Sequence, residues 1–142
     1  VIGSSTGGPR ALEVVLSALP ADFALPILIV QHMPAGFTAN LAQSLSGSCA
    51  FDVREARGGE GLERGVALVA PGDRHMRVVG PAREARVELD LGPPRNFCRP
   101  SVDVLFESAA EVFGGATLAV VLTGMGQDGL LGAEKLRANG AR

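Results

Sequence analysis

Two uninterrupted apolar runs constrain the fold of this chain more than any other feature. Residues 26–31 read PILIVQ and residues 117–122 read TLAVVL, and both runs are rich in β-branched residues. Such runs are typical of strands buried on both faces of a parallel sheet. Val1 and Ile2 are interpreted as the end of a third strand. Because parallel strands need long crossover connections, helices are expected between them.

Helical spacing of apolar residues follows each predicted strand. One helix is predicted over Arg10 to Leu19 and a second over Phe37 to Leu45. A third begins at Pro100–Ser101, where Ser101 is a candidate cap, and a fourth follows the glycine-rich segment 123–126. Val102, Leu105, Phe106 and Ala109 are expected to face inward on the third. The alternation predicts an α/β fold, doubly wound, with a mainly parallel sheet and helices on both faces.

The middle of the chain has a different pattern. Short strand-like pieces cover residues 67–70, 76–79 and 86–91, and turn signals at 71–73 and 80–81 separate them. We expect an antiparallel hairpin inserted there.

Length, charge and composition narrow the class of protein. A chain of 142 residues fits one domain. The net charge of −2, without a basic cluster, and the absence of Tyr and Trp argue against nucleic acid as a partner. No apolar run reaches the roughly 20 residues of a membrane span, so no membrane insertion is predicted. Cys49 and Cys98 are far apart in sequence and are interpreted as reduced, with no metal site and no cofactor predicted.

The segment Gly3–Gly8, which reads GSSTGG, fits the pattern Gly-x-Ser-x-Gly with Ser5 at its centre. In that pattern a tight turn between strand and helix presents the serine hydroxyl as a nucleophile. The same residues are also compatible with a phosphate-binding loop. A third interpretation is a simple glycine-rich turn in which Ser4 or Ser5 caps the following helix.

A serine nucleophile needs a base, and histidine is the usual one. His32 directly follows the run 26–31, and Asp128 lies just past the run 117–122. The carboxyl ends of parallel strands meet at one edge, so Ser5, His32 and Asp128 are expected together as a catalytic triad. The alternatives are that His32 only packs or caps, and that Asp128 is the N-cap of the last helix.

Other residues are weaker or accessory candidates. His75 belongs to the inserted hairpin, away from the main sheet, while Asp73 is interpreted as a turn residue and Asp103 as a first-turn helix acid. The backbone N–H groups of Met125 and Thr6 are candidate donors to the oxyanion of a tetrahedral intermediate.

Five motifs, in order along the chain, carry a resemblance to a known family. They are Gly3–Gly8 (GSSTGG), Gln31–Pro34 (QHMP), Ala70–Met76 (APGDRHM), Arg99–Phe106 (RPSVDVLF) and Leu122–Gly126 (LTGMG). Together they resemble the CheB-type chemotaxis protein-glutamate methylesterases. The resemblance covers nearly the whole chain, so residues 1–142 are interpreted as a methylesterase catalytic domain truncated at both ends. The phosphoacceptor receiver domain usual in the family is absent from the sequence.

The resemblance implies a cytoplasmic serine esterase that hydrolyses glutamate γ-methyl esters on bacterial chemoreceptors and releases methanol. It also implies deamidation of receptor glutamines. Its nucleophile, base and orienting carboxylate fall on Ser5, His32 and Asp128, with an oxyanion-hole amide at Met125. The implied partners are the methylated cytoplasmic helices of the receptors and, in the parent protein, the receiver domain. No cofactor is implied.

The sequence departs from the family pattern at Gln127, where Asn is usual, and at Phe97–Cys98, which replaces a more polar pair. Two alternative functions are retained. One is a Rossmann-like nucleotide-binding module that uses the first glycine-rich turn; the other is a catalytically inactive receptor-binding domain.

Overall fold

The computed structural model describes residues 1–142 as seven strands and four α-helices. In chain order these are β1 (Ile2–Ser4), α1 (Gly8–Ser17), β2 (Ile27–Gln31), α2 (Phe37–Ser48), β3 (Asp52–Glu55), β4 (Val66–Val69), β5 (His75–Val79), β6 (Arg86–Asp90), α3 (Val102–Phe113), β7 (Val120–Val121) and α4 (Leu130–Ala138). Short 3₁₀ turns cover Ala82–Glu84 and Gly114–Ala116. No helix has the length and hydrophobicity that a membrane span requires.

Five strands form a parallel sheet in the order β3-β4-β2-β1-β7, and β5 and β6 form a separate antiparallel hairpin. Helices α1 and α2 pack on one face of the sheet, while α3, α4 and the hairpin pack on the other. The predicted α/β class, the mainly parallel sheet and the inserted hairpin are confirmed. Strand β1 lies between β2 and β7, so the residues that follow these three strands meet at one edge.

Two details of the predicted sheet were wrong. Residues 67–70 are predicted from the sequence as part of the inserted hairpin. In the structure, β4 instead pairs in parallel with β2 and β3 inside the main sheet. Strand β4 is a run of apolar residues, as is typical of a central strand, but it is too short for the sequence to distinguish it from a hairpin strand. Strand β3 was not predicted, because an edge strand reading DVRE buries only Val53 well. Only Val120–Val121 of the predicted strand 117–122 pairs regularly.

The two cores follow from the alternation of side chains along the buried strands. Ile27 and Ile29 point towards α1 and α2, whereas Leu28 and Val30 point towards α3. On the α3 face, a Cβ at Gly3 would lie 2.5 Å from Cγ1 of Val102. The start of α3 therefore sits directly on β1, which only glycine at that position permits.

Helices α3 and α4 are joined by a buried carboxylate. Asp103, in the first turn of α3, is fully buried, and its Oδ1 accepts hydrogen bonds from the N–H groups of Gly129 (3.0 Å) and Gly132 (2.7 Å). Helix N-termini carry unpaired N–H groups and a partial positive charge, so this carboxylate caps α4. The sequence identified Asp103 as a first-turn acid but not as the cap of a neighbouring helix.

Replacing Gly132 with alanine is expected to destabilise the protein by about 1–3 kcal/mol, because the new Cβ would lie 2.5 Å from Cβ of Phe106. Gly47→Ala is the matched control, since Gly47 also lies in a helix but a Cβ there meets nothing within 4 Å. That control should gain up to about 1 kcal/mol from helix propensity. Urea unfolding of both variants measures the difference, and similar stabilities would contradict the close packing of α3 on α4.

Candidate functional site

Ser5 lies on the turn between β1 and α1 and is held by the second glycine-rich turn. Its N–H donates to the carbonyl of Thr123 (2.7 Å), and the Thr123 hydroxyl donates to the carbonyl of Thr6 (3.0 Å). A Cβ at Gly124 would lie 2.6 Å from Cβ of Ser5. The two turns are therefore in van der Waals contact around the Ser5 side chain. Helix α1 has Gly7 at its N-cap position and no side-chain cap, so capping by Ser4 or Ser5 is excluded.

Gln31 fixes the backbone on both sides of the site, a role that is not predicted from the sequence. The residue is buried, and its Nε2 donates to the carbonyls of Ser5 (2.9 Å) and His32 (3.1 Å). Its Oε1 accepts from the hydroxyl of Ser4 (2.7 Å). The signal in the sequence that could have identified Gln31 is its position as a polar residue at the end of an otherwise apolar strand. Ser4 therefore supports Gln31 and is turned away from the edge where Ser5 lies.

His32 and Asp128, which are 96 residues apart, are joined by a direct side-chain hydrogen bond. Nε2 of His32 lies 2.7 Å from Oδ2 of Asp128, and the Asp128 side chain is only 3% exposed. An ionised carboxylate only accepts hydrogen bonds, so Nε2 carries the proton and Nδ1 of the neutral ring is an acceptor. The structure thus brings together the two residues that the sequence predicts as base and orienting carboxylate, and these roles stay predictions.

Register places Ser5 beside His32. Ser4 pairs with Gln31 across β1 and β2, and the N–H of His32 donates to the carbonyl of Ser4 (3.0 Å). Successive side chains of a strand point to opposite faces of the sheet. Ser5 and His32 each come one residue after their strand ends, so both side chains point to the α3 face, where Asp128 also lies. The Ser5 hydroxyl makes no hydrogen bond to the His32 ring in this structure. The role of Ser5 as nucleophile therefore stays a prediction.

Asp128 caps α3, not the helix that follows it in sequence. Its carboxylate accepts from the Ser101 hydroxyl (2.6 Å) and from the N–H groups of Val102 (2.7 Å) and Asp103 (3.2 Å). The alternative that Asp128 caps α4 is wrong, because Gly129 occupies that position. Ser101 is the N-cap of α3 by position, but its hydroxyl donates to Asp128 and does not itself cap the helix.

These contacts control the ionisation of Asp128. Burial alone would raise the pKa of the carboxyl, but hydrogen bonds from His32, Ser101 and the first N–H groups of α3 outweigh burial and lower the pKa to about 2. The carboxylate is therefore fully ionised at neutral pH. It can orient the His32 ring and stabilise an imidazolium.

The two predicted oxyanion donors are free to act. Neither the N–H of Thr6 nor that of Met125 donates to an acceptor within the protein. Thr6 follows Ser5, and Met125 follows Gly124, which touches the Ser5 side chain. An oxyanion hole built from these two amides remains a prediction.

A cleft of about 250 Å³ opens next to His32. It is lined by His32, Met33, Pro34, Phe97, Cys98, Arg99 and Pro100. Cys98 lies far from His32 in the sequence, but the fold brings its Sγ to 3.7 Å from Nδ1 of His32. Burial and then the charge of Asp128 raise the pKa of the Cys98 thiol, so the sulfur is protonated at neutral pH.

The weaker candidates have structural roles. His75 is buried; its Nδ1 accepts from the N–H of Ser101 (3.2 Å), and its Nε2 donates to the carbonyl of Pro93 (3.1 Å). Asp73 has a left-handed backbone (φ 64°) and pairs with Arg99. Both residues hold the segment before α3 against the hairpin.

The low pKa of Asp128 predicts a specific loss of stability in acid. Its folded pKa of about 2 lies below the unfolded value of 3.8, so the stabilisation is fully present above 3.8 and is lost as the pH falls towards 2. The loss corresponds to about 2 kcal/mol. Urea unfolding between pH 5 and pH 2 should show this loss in the native chain and not in Asp128→Asn. Parallel pH profiles for the two proteins would refute it.

Gln31→Leu is expected to destabilise the protein by about 2 kcal/mol or more, because two partly buried carbonyls and one buried hydroxyl lose their partner. Gln43→Leu provides the control, since Gln43 is exposed on α2. Chemical denaturation measures both. Equal stability of the two variants would mean that Gln31 does not brace the site.

The chain was compared with known proteins. A family model described as CheB methylesterase matches residues 1–142. A relative from Trichodesmium erythraeum, named protein-glutamate methylesterase/protein-glutamine glutaminase, is 49% identical over 141 residues, which are 99% of this chain and 40% of that relative. A relative from Methanosarcina acetivorans, named protein-glutamate methylesterase/protein-glutamine glutaminase 2, is 46% identical over 145 residues, which are 99% of this chain and 41% of that relative.

Among solved structures, the crystal structure of the Thermotoga maritima CheB methylesterase catalytic domain superimposes with a TM-score of 0.96 at 44% identity, covering 99% of this chain and 74% of that one. The chain spans about two fifths of the length of the two curated relatives. Since the family model matches residues 1–142 and the fold is the same as that of a solved catalytic domain, the chain belongs to the CheB methylesterase family.

Proposed function

We propose that this chain is the catalytic domain of a serine esterase that hydrolyses glutamate γ-methyl esters on bacterial chemoreceptors, releasing methanol in chemotactic adaptation. The observation that carries the proposal is the Asp128–His32 pair, held at 2.7 Å beside the Ser5 turn in a chain of this family. A receptor glutamine offers the same carbonyl with ammonia as the leaving group, so the same site serves as a glutaminase.

The reaction begins at Ser5. Asp128 keeps the proton of His32 on Nε2, so the lone pair on Nδ1 accepts the proton of the Ser5 hydroxyl as its oxygen attacks the ester carbonyl. Catalytic hydrogen bonds often tighten only when substrate is bound. The Ser5 hydroxyl turns to Nδ1 at that stage.

The charge that develops on the substrate oxygen is stabilised by backbone donors. The free N–H groups of Thr6 and Met125 lie on the two turns around Ser5 and donate to the oxyanion. The imidazolium of His32 then gives its proton to the leaving methoxide, and methanol departs. Water, deprotonated by the same nitrogen, hydrolyses the glutamyl-serine ester and regenerates Ser5. Each step uses only side chains and amides of this chain.

The receptor helix is the partner that best fits the surface around the site. Phe97 and Met125 are almost fully exposed, and Phe97 lines the cleft next to His32. Exposed apolar side chains of this size are typical of protein-binding surfaces. We further propose that residues 1–142 form the catalytic domain of a longer cytoplasmic protein that also carries a phosphoacceptor receiver domain.

Methanol release from methylated receptor membranes tests the assignment. Ser5→Ala should lower kcat by about 10⁴-fold or more, because the nucleophile is lost. Ser4→Ala is the matched control, since Ser4 is the neighbouring serine but its hydroxyl is bonded to Gln31. It should retain activity within about tenfold, with a loss of stability of about 1 kcal/mol. Full activity in Ser5→Ala, or its loss only in Ser4→Ala, would disprove the assignment.

A further inference from the structure

We propose that His32 and Cys98 form a binding site for Zn²⁺, with Nδ1 of His32 and Sγ of Cys98 as its ligands, and that the bound ion switches the enzyme off. The two ligand atoms come from residues 66 apart in sequence and meet at the mouth of the cleft. Imidazole nitrogen and thiolate sulfur are the ligands that zinc prefers.

The spacing of the two atoms fits a shared zinc ion. Zn–N bonds of about 2.0 Å and Zn–S bonds of about 2.3 Å at a tetrahedral angle place nitrogen and sulfur about 3.5 Å apart. The observed separation between Nδ1 of His32 and Sγ of Cys98 is 3.7 Å. An ion can therefore enter without either side chain moving far.

The other ring nitrogen has the partner that zinc-binding histidines usually have. Nε2 of His32 donates to Asp128, and a carboxylate behind a histidine ligand fixes the tautomer and increases the basicity of the coordinating nitrogen. In this arrangement Asp128 is not a ligand, because its two oxygens already accept hydrogen bonds from His32, the Ser101 hydroxyl and the first N–H groups of α3. The contact that suits His32 for catalysis also suits it for metal binding.

The turn that carries Cys98 is held rigidly. Arg95 and Cys98 exchange backbone hydrogen bonds across it, at 2.8 and 3.1 Å. Arg95 forms a bidentate ion pair with Glu107 of α3, at 2.5 and 2.9 Å, and Asn96 donates to Asp103 (2.9 Å). Since both ligands are already in place, binding costs little conformational entropy.

The cleft has room for the rest of the coordination shell. Two protein ligands leave two tetrahedral positions for water, and a volume of about 250 Å³ accommodates them. Arg99 also lines the cleft, but its charge is paired with Asp73. On binding, the S–H bond of Cys98 breaks, the S–Zn bond forms, and the proton passes to solvent.

Zinc in this position occupies the lone pair that the reaction needs as its base. This consequence rests on the proposed function, whereas metal binding itself does not. Inhibition is thus expected without any change of fold.

Co²⁺, which reports thiolate ligation by a charge-transfer absorption, is the probe for binding. One equivalent added to the reduced 142-residue chain should produce the band, and excess Zn²⁺ should remove it. Cys98→Ala should abolish the band, and Cys49→Ala, which removes the other free cysteine, should retain it. Asp128→Asn should weaken Co²⁺ affinity by roughly 10–100-fold. No band in the native chain, or an undiminished band in Cys98→Ala, overturns the site.

The inhibition is tested by methanol release with and without Zn²⁺. The native chain and Cys49→Ala should lose activity and regain it with chelator, whereas Cys98→Ala should be resistant. Equal inhibition of Cys98→Ala and the native chain overturns the assignment of the inhibitory ion to this site. If no metal-free protein releases methanol, the proposed function fails, and the Co²⁺ spectrum still decides whether the ion binds here.

Discussion

The site depends on an exchange of carboxylates between two helices. Asp128 precedes α4 but caps α3, while Asp103 belongs to α3 and caps α4. Each buried carboxylate is compensated by unpaired N–H groups and by the positive end of a helix dipole, which together offset the cost of removing it from water. The exchange fixes α4 against α3 and keeps Asp128 ionised against His32. Without it, neither the tautomer nor the orientation of the histidine would be determined.

Much of the fold was predictable because its signals are local. Apolar runs mark strands β1 and β2 and the stretch around β7, and helical spacing between them marks the crossovers. The three proposed catalytic residues follow three strands that are neighbours in the sheet, so one topological rule brings them to one edge. Two strands were not assigned correctly because their signals are weak. Strand β4 is only four residues long, so its place in the main sheet was missed, and β3 is a polar strand at the edge of the sheet.

The rest of the site could not be read from the sequence, because it depends on contacts between distant residues. Gln31 resembles an ordinary polar strand end until its amide is seen to bind two carbonyls. Cys98 is brought to His32 by a turn whose anchors, Arg95 and Asn96, bind α3 side chains. Asp103 and Asp128 each resemble a cap of their own helix. Which helix a carboxylate caps is decided by packing, not by neighbouring residues.

The position of β1 in the middle of the sheet has a consequence for synthesis. The turn that carries Ser5 is synthesised before the segment that packs against it, because that segment, around Thr123 and Gly124, lies more than a hundred residues later in the chain. Long-range pairing of this kind is slow, and its entropic cost falls early in folding. A partly synthesised chain therefore contains the Ser5 turn before Asp128 and the turn around Gly124 are present to pack near it. The turn that carries Ser5 is therefore complete only after the segment around Thr123 and Gly124 has been synthesised and has packed against it.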